Sequence, residues 1–132
     1  MNEKPPALPS ELVQEFVTVG HHNLPRVQAI LAETPQIVNA AWDWGGGDWE
    51  TALGGAAHMG RRDIAEYLLA HNARIDLFAA AMLGKLEIVQ AVLMAFPDAK
   101  DIPGPHGIPL IVHAEKGGEP ALAVLRYLQS LG

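Results

Sequence analysis

The chain contains no cysteine. That excludes a disulfide framework, a thiolate zinc site, an iron–sulfur cluster and a cysteine nucleophile together. Serine occurs only as Ser10 and Ser130, both near the ends, and no G-x-S-x-G is present, so a serine hydrolase is not expected. Positive charge is scarce: 9 Lys plus Arg stand against 15 Asp plus Glu, for a net charge of −6. Phosphate neutralisation supplies most nucleic-acid affinity, so no nucleic-acid partner is expected. Apolar runs fall well short of the ~20 residues a membrane helix needs, so no membrane partner is expected. The opening MNEKPPALPS has no apolar segment and no cleavage pattern, which argues against a secretory signal. The expectation is a soluble, cytoplasmic protein. What remains is ordinary globular material: 132 residues, 49% hydrophobic and 18% charged, enough for one domain with a real core.

Repetition organises that domain. Four segments share an apolar helix, a glycine-containing turn and a second helix rich in aliphatics: residues 11–39, 51–76, 77–99 and 108–132. Ile64, Leu68 and Leu69 form one helical stripe, and Val27, Ile30 and Leu31 form another. Ile88, Val89, Val92 and Leu93 repeat it. The preceding helices are rich in alanine (Ala56 and Ala57, then Ala79 to Ala81), which lets neighbours approach closely. Ser10 suits a helix N-cap and Pro120 a first turn. Gly60, Gly84 and Gly117 sit where the chain must reverse, which favours positive φ. Residues 1–10 hold three prolines and no periodicity and read as a flexible arm, leaving 11–132 as one all-α domain.

The second segment resembles an ankyrin repeat. Thr51-Ala52-Leu53 stands in that family's T-P-L slot and Ala56-Ala57-His58-Met59-Gly60 in its A-A-x-x-G. Asn72-Ala73-Arg74-Ile75-Asp76 stands in the G-A-D-V-N ending, with Asn72 in the left-handed glycine position. Ile108-Pro109-Leu110, His113-Ala114 and Gly117 echo the pattern near the end. Gln36 to Ala40 resembles the lead-in to a hairpin finger. The resemblance implies a solenoid of about four stacked helix-turn-helix repeats. Two departures stand out. One hairpin is missing, because Ile75-Asp76 runs straight into Leu77-Phe78-Ala79. Its neighbour is enlarged, by WDWGGGDWE. The enlarged loop is expected to fold over the gap.

Ankyrin proteins bind through finger tips and the exposed positions of their inner helices, which implies a protein-binding module here. Those positions are Trp42, Asp43, Trp44, Asp48, Trp49, Glu50 and His106 on the fingers, and His58, Met59, Met82, Leu83, Glu115 and Lys116 on the helices. The three tryptophans lie within eight residues, and Gly45 to Gly47 would let Trp44 and Trp49 approach each other. Met82 and Leu83, apolar at normally wet positions, favour a covering partner. Asp43, Asp48 and Glu50 beside the rings have the composition of a cation site, or of simple solvating charge.

Six histidines raise acid–base or metal chemistry. His58 or His113 beside Glu50, Asp43 or Glu115 would make an acid–base pair in a Trp-lined groove; an idle, hydrogen-bonded histidine is the simpler alternative. His21 and His22 are adjacent, point different ways and do not form a ligand pair. No H-E-x-x-H spacing exists. No catalytic residue, metal ligand or cofactor is therefore assigned. Three readings stay open: a protein-binding surface, a small-molecule pocket under the loop, with or without enzymatic activity, and a purely structural lid.

Overall fold

A computed structural model describes residues 3–132. It is mostly helical, with eight α-helices and one two-stranded sheet among the described residues. Helices α1 (Ser10–Val19), α3 (Ala52–His58), α5 (Leu77–Leu83) and α7 (Leu110–Lys116) pack side by side in one row. Each is followed by an outer partner: α2 (Leu24–Glu33), α4 (Arg62–Ala70), α6 (Leu86–Ala95) and α8 (Leu122–Ser130).

The inner helices α3, α5 and α7 have seven residues each, too short to persist alone. Packing holds them. In α3 every residue from Ala52 to Ala57 is buried, and in α5 every one from Ala79 to Leu83. One apolar cluster joins α1 to α5 through Phe16, Ile37, Leu53, Ile64, Leu68 and Met82. A second joins α5 to α8 through Val89, Leu93, Leu110 and Val124. Helix α5 belongs to both, giving Ala79 and Met82 to the first and Ala80 and Ala81 to the second.

Side-chain caps set several helix starts: Asn23 for α2, Thr51 for α3 and Asp76 for α5. Ser10 does not cap α1. Pro9 occupies the N-cap, and the Ser10 hydroxyl turns to Glu11. Asn72 takes the expected left-handed conformation, φ 77°. Gly60 and Gly84 take positive φ as well, but Gly117 does not (φ −71°); Gly118 makes that turn instead. Gly117 is needed for another reason, because a Cβ there would run into the Met82 carbonyl. Residues 3–9 form no regular element, and Leu8 packs on the first cluster; Met1 and Asn2 of the expected arm lie outside the described residues.

The connections differ more than the helices do. Between α2 and α3 the chain forms a hairpin, β1 (Ala41–Asp43) against β2 (Trp49–Thr51), with Trp42 opposite Glu50 and Asp43 opposite Trp49. Its tip is closed by the Trp44 amide donating to the Asp48 carbonyl at 2.9 Å. The Asp43 carboxylate accepts from the Gly45 and Gly47 amides, both at 2.9 Å. Asp43 is therefore a turn-former rather than a free charge. Between α4 and α5 a short link runs from His71 to Asp76, tied to the first connection by Asn39, whose amide group bonds the Asn72 carbonyl and the Arg74 N–H. Between α6 and α7 run two 3-10 turns, Pro97–Asp101 and Pro105–Gly107.

Candidate functional site

Glu50 begins the site. Strand alternation sends Trp49 outward, 61% exposed, and Glu50 inward, where it is completely covered. A carboxylate cannot be buried charged without partners, and Glu50 has them on every side. Trp44 Nε1–H donates to its Oε1 at 2.8 Å. His106 Nε2 lies 3.2 Å and His21 Nε2 3.1 Å from the same oxygen, and His58 Nε2 lies 3.0 Å from Oε2. Burial alone would raise the Glu50 pKa, but the His21 and His58 imidazoles facing its oxygens, positive charge at His21 and the Trp44 N–H together hold it well below the usual carboxylate range. For His21, burial acts to lower the pKa, yet Glu50 outweighs it and the net shift is upward.

Each histidine arrives from a different element. His21 follows α1, where Gly20 avoids a clash with Ala52, and its ring lies on Gly55 of α3; a Cβ at Gly55 would sit 2.6 Å from that ring. Gly54 makes room in the same way beneath Glu50, whose Cγ a Cβ would meet at 3.3 Å. His58 ends α3, and His106 comes from the turn before α7. The three rings stack edge-on or tilted, with His21–His58 centroids 4.9 Å apart and His58–His106 5.3 Å. Trp44 closes one side against His21 and His106. His106 holds a left-handed backbone at φ 62°, unusual for a residue with a side chain. Asp48 fixes it there, accepting from the His106 amide at 2.8 Å and meeting Nδ1 at 2.8 Å. The hairpin thus reaches past the short α4–α5 link to grip the third connection.

The structure gathers Trp44, Asp48, Glu50, His58 and His106 of the expected residues into one centre. Trp44 and Trp49 do not converge as expected: Trp44 faces the histidines while Trp49 points to solvent. Trp42 is half-buried in the hairpin, and Met59 is exposed beside His58. Met82 is fully buried and Leu83 nearly so, because α5 is walled in by α3 and α7; neither can line a binding surface. His113 is buried apart from the centre, against Phe78, its Nδ1 2.9 Å from the Pro109 carbonyl and its Nε2 without a partner. Burial keeps it neutral by lowering its pKa. Glu115 is solvent-exposed.

His21 is the residue that sequence reasoning missed. Adjacent to His22 and pointing away from it, His21 shows no ligand-pair pattern in the sequence, yet it enters the site alone. The available signal was Gly54-Gly55. Two glycines inside a helix cost about 1 kcal/mol each relative to alanine, and such a cost marks a close approach.

Chemically, the centre offers one ionised carboxylate, three imidazole nitrogens and an indole N–H, partly open to solvent through His106. His21, Glu50, His58 and His106 each bring one donor atom, all within 4.8 Å of one another. A groove of about 420 Å3 between Ile102, Pro103, Leu110, Ile111 and Leu128 lies elsewhere. Its Lys100 and Asp101 bond to each other, so it holds no comparable set of polar groups. Among the described residues, no helix is long and apolar enough to cross a membrane. Neither the family models nor the curated proteins compared with the chain give a match.

Proposed function

We propose that the chain is an ankyrin-type helical solenoid whose working part is a small-ligand site under its enlarged hairpin. The two helix rows, the Thr51 cap after the hairpin and left-handed Asn72 support the ankyrin reading. Composition supports a cytoplasmic setting without nucleic-acid contact. One observation carries the site: Glu50, fully covered and ionised, ringed by His21, His58 and His106. A structural lid needs only apolar contact, and burying a charge for that purpose is a weak way to gain stability. Convergent polar groups in a covered niche are what a small ligand requires.

A thermal-shift panel of small cations, carboxylic acids, amines and nucleotides, read with Trp44 fluorescence, tests this. At least one class is expected to raise the melting temperature of the wild type and not of His58→Ala. A panel with no shift at all overturns it. A second reading, recognition of a protein, rests on exposed Trp49 and Met59 at the rim. It predicts a captured partner that is lost in Trp49→Ala while ligand binding under the hairpin is unaltered.

A further inference from the structure

Resting on that small-ligand reading, we propose that the ligand is a divalent transition-metal ion held by the Nε2 atoms of His21, His58 and His106 and by the Glu50 carboxylate. The first support is spacing. Two ligands bonded to one ion at 2.0–2.1 Å lie about 3.3–3.4 Å apart in tetrahedral geometry and about 2.9 Å apart at right angles, and the observed spacings fall between these limits. The three histidine nitrogens stand 3.0, 3.1 and 3.2 Å from Glu50 oxygens.

The second is the direction of the lone pairs. His21 Nδ1 faces the Val17 and Thr18 carbonyls at 2.9 and 3.1 Å, and a carbonyl can only accept. That nitrogen therefore carries the proton. His106 Nδ1 faces the Asp48 carboxylate at 2.8 Å, which fixes its proton in the same way. With Nδ1 engaged outward, each ring turns Nε2 to an acceptor-only carboxylate, where that nitrogen is either a proton donor or, unprotonated, one side of a cation site. A ring nitrogen that donates outward to a carbonyl or carboxylate is the usual support of a metal-bound histidine.

The third is a pair of buried atoms without hydrogen-bond partners, Glu50 Oε2 and His58 Nε2. They lie 3.0 Å apart yet are not aligned to bond each other. Atoms that close and that misdirected are aimed at a third point. Trp44 donates to Oε1 at 2.8 Å, but a carboxylate oxygen has a second lone pair, so Glu50 can meet the ion with Oε1 on the His21 and His106 side and Oε2 on the His58 side.

Protonating the rings instead would crowd several positive charges within 4.8 Å around a single carboxylate. One divalent ion satisfies all four donors at once. Imidazole donors suit zinc, copper, iron or nickel, and an all-oxygen shell suits magnesium or calcium. The ion would join the α1–α2 turn, β2, the end of α3 and the third connection.

The test uses the full, untagged chain stripped with a chelator and titrated by calorimetry with Zn2+, Co2+, Ni2+, Mg2+ or Ca2+. One equivalent of Zn2+ or Co2+ is expected to bind at micromolar concentration or tighter, with Mg2+ and Ca2+ silent. Bound Co2+ should show visible ligand-field bands, a direct reading on the wild type that needs no variant. His106→Ala, the most exposed ligand, should bind about 100-fold more weakly, and Asp48→Asn roughly 10- to 100-fold more weakly. His22→Ala should bind normally. Absence of saturable Co2+ binding, or equal loss in His22→Ala, overturns the metal. If an organic ligand then binds and is lost in His58→Ala, the small-ligand site survives without the metal; if nothing binds, both readings fall.

Discussion

The first and second connections do the same topological job with opposite means. Each takes the chain from an outer helix to the next inner one. The α4–α5 link does so in a few residues, with Asp76 as cap and the Asn39 side chain as tie. The α2–α3 hairpin uses a glycine tip, a buried carboxylate and an indole, and its Asp48 grips His106, 58 residues further on. Since the short link suffices to stack helices, the hairpin's extra length answers to something other than stacking. What it adds is the centre around Glu50.

That contrast can be broken from either side. The largest effect is expected from Glu50→Ala, which leaves three imidazoles around a hole. Removing one member of a buried charged set costs about 3–5 kcal/mol, read as a lower urea midpoint. Gly55→Ala comes next. Alanine is the better helix former by about 1 kcal/mol, but the new Cβ would meet the His21 ring at 2.6 Å. Overpacking of this kind costs about 1–3 kcal/mol, so a net loss of stability is expected, with displacement of His21 visible in its NMR signals. A gain in stability would mean that His21 is not seated on α3.

Asp76 tests the plain connection. Asp76→Ala removes the cap of α5 and should cost about 1 kcal/mol, while Asp76→Asn keeps the accepting oxygen. Burial raises the Asp76 pKa, its bonds to the Ala79 and Phe78 amides notwithstanding. The folded chain therefore holds that proton more tightly than the unfolded one, and stability falls as pH rises from the ordinary aspartate range through the raised value. Asp76→Asn should match the wild type below that window and exceed it above, in denaturation curves taken across acid pH. The smallest effect belongs to Trp49→Ala. With its ring mostly in water, a change within about 0.5 kcal/mol is expected, whatever its role at a surface.

Much of this was legible in the residues. Aliphatic stripes marked the outer helices, Asn72 marked a left-handed turn, and the unequal connectors showed where a finger was short and where one was long. Glu50 and His106 stand at finger positions of the ankyrin pattern and His58 at an exposed position of an inner helix, which is what singles them out in the sequence. What sequence neighbours do not reveal is which side chains packing covers. Met82 looked wet by its helical position, but helices on both sides cover it. His21 looked idle beside His22, and only the glycine floor of α3, a feature of packing, brings it inward.

The spread of the four donors along the chain has a consequence for synthesis. Residues 21 and 106 must both have been made before the centre can exist. A ribosome-bound chain between residues 58 and 106 carries three of the four donors and lacks the last. Full occupancy therefore requires the chain to have passed the third connection, and a ligand present during translation would favour chains extended beyond residue 106 over shorter ones.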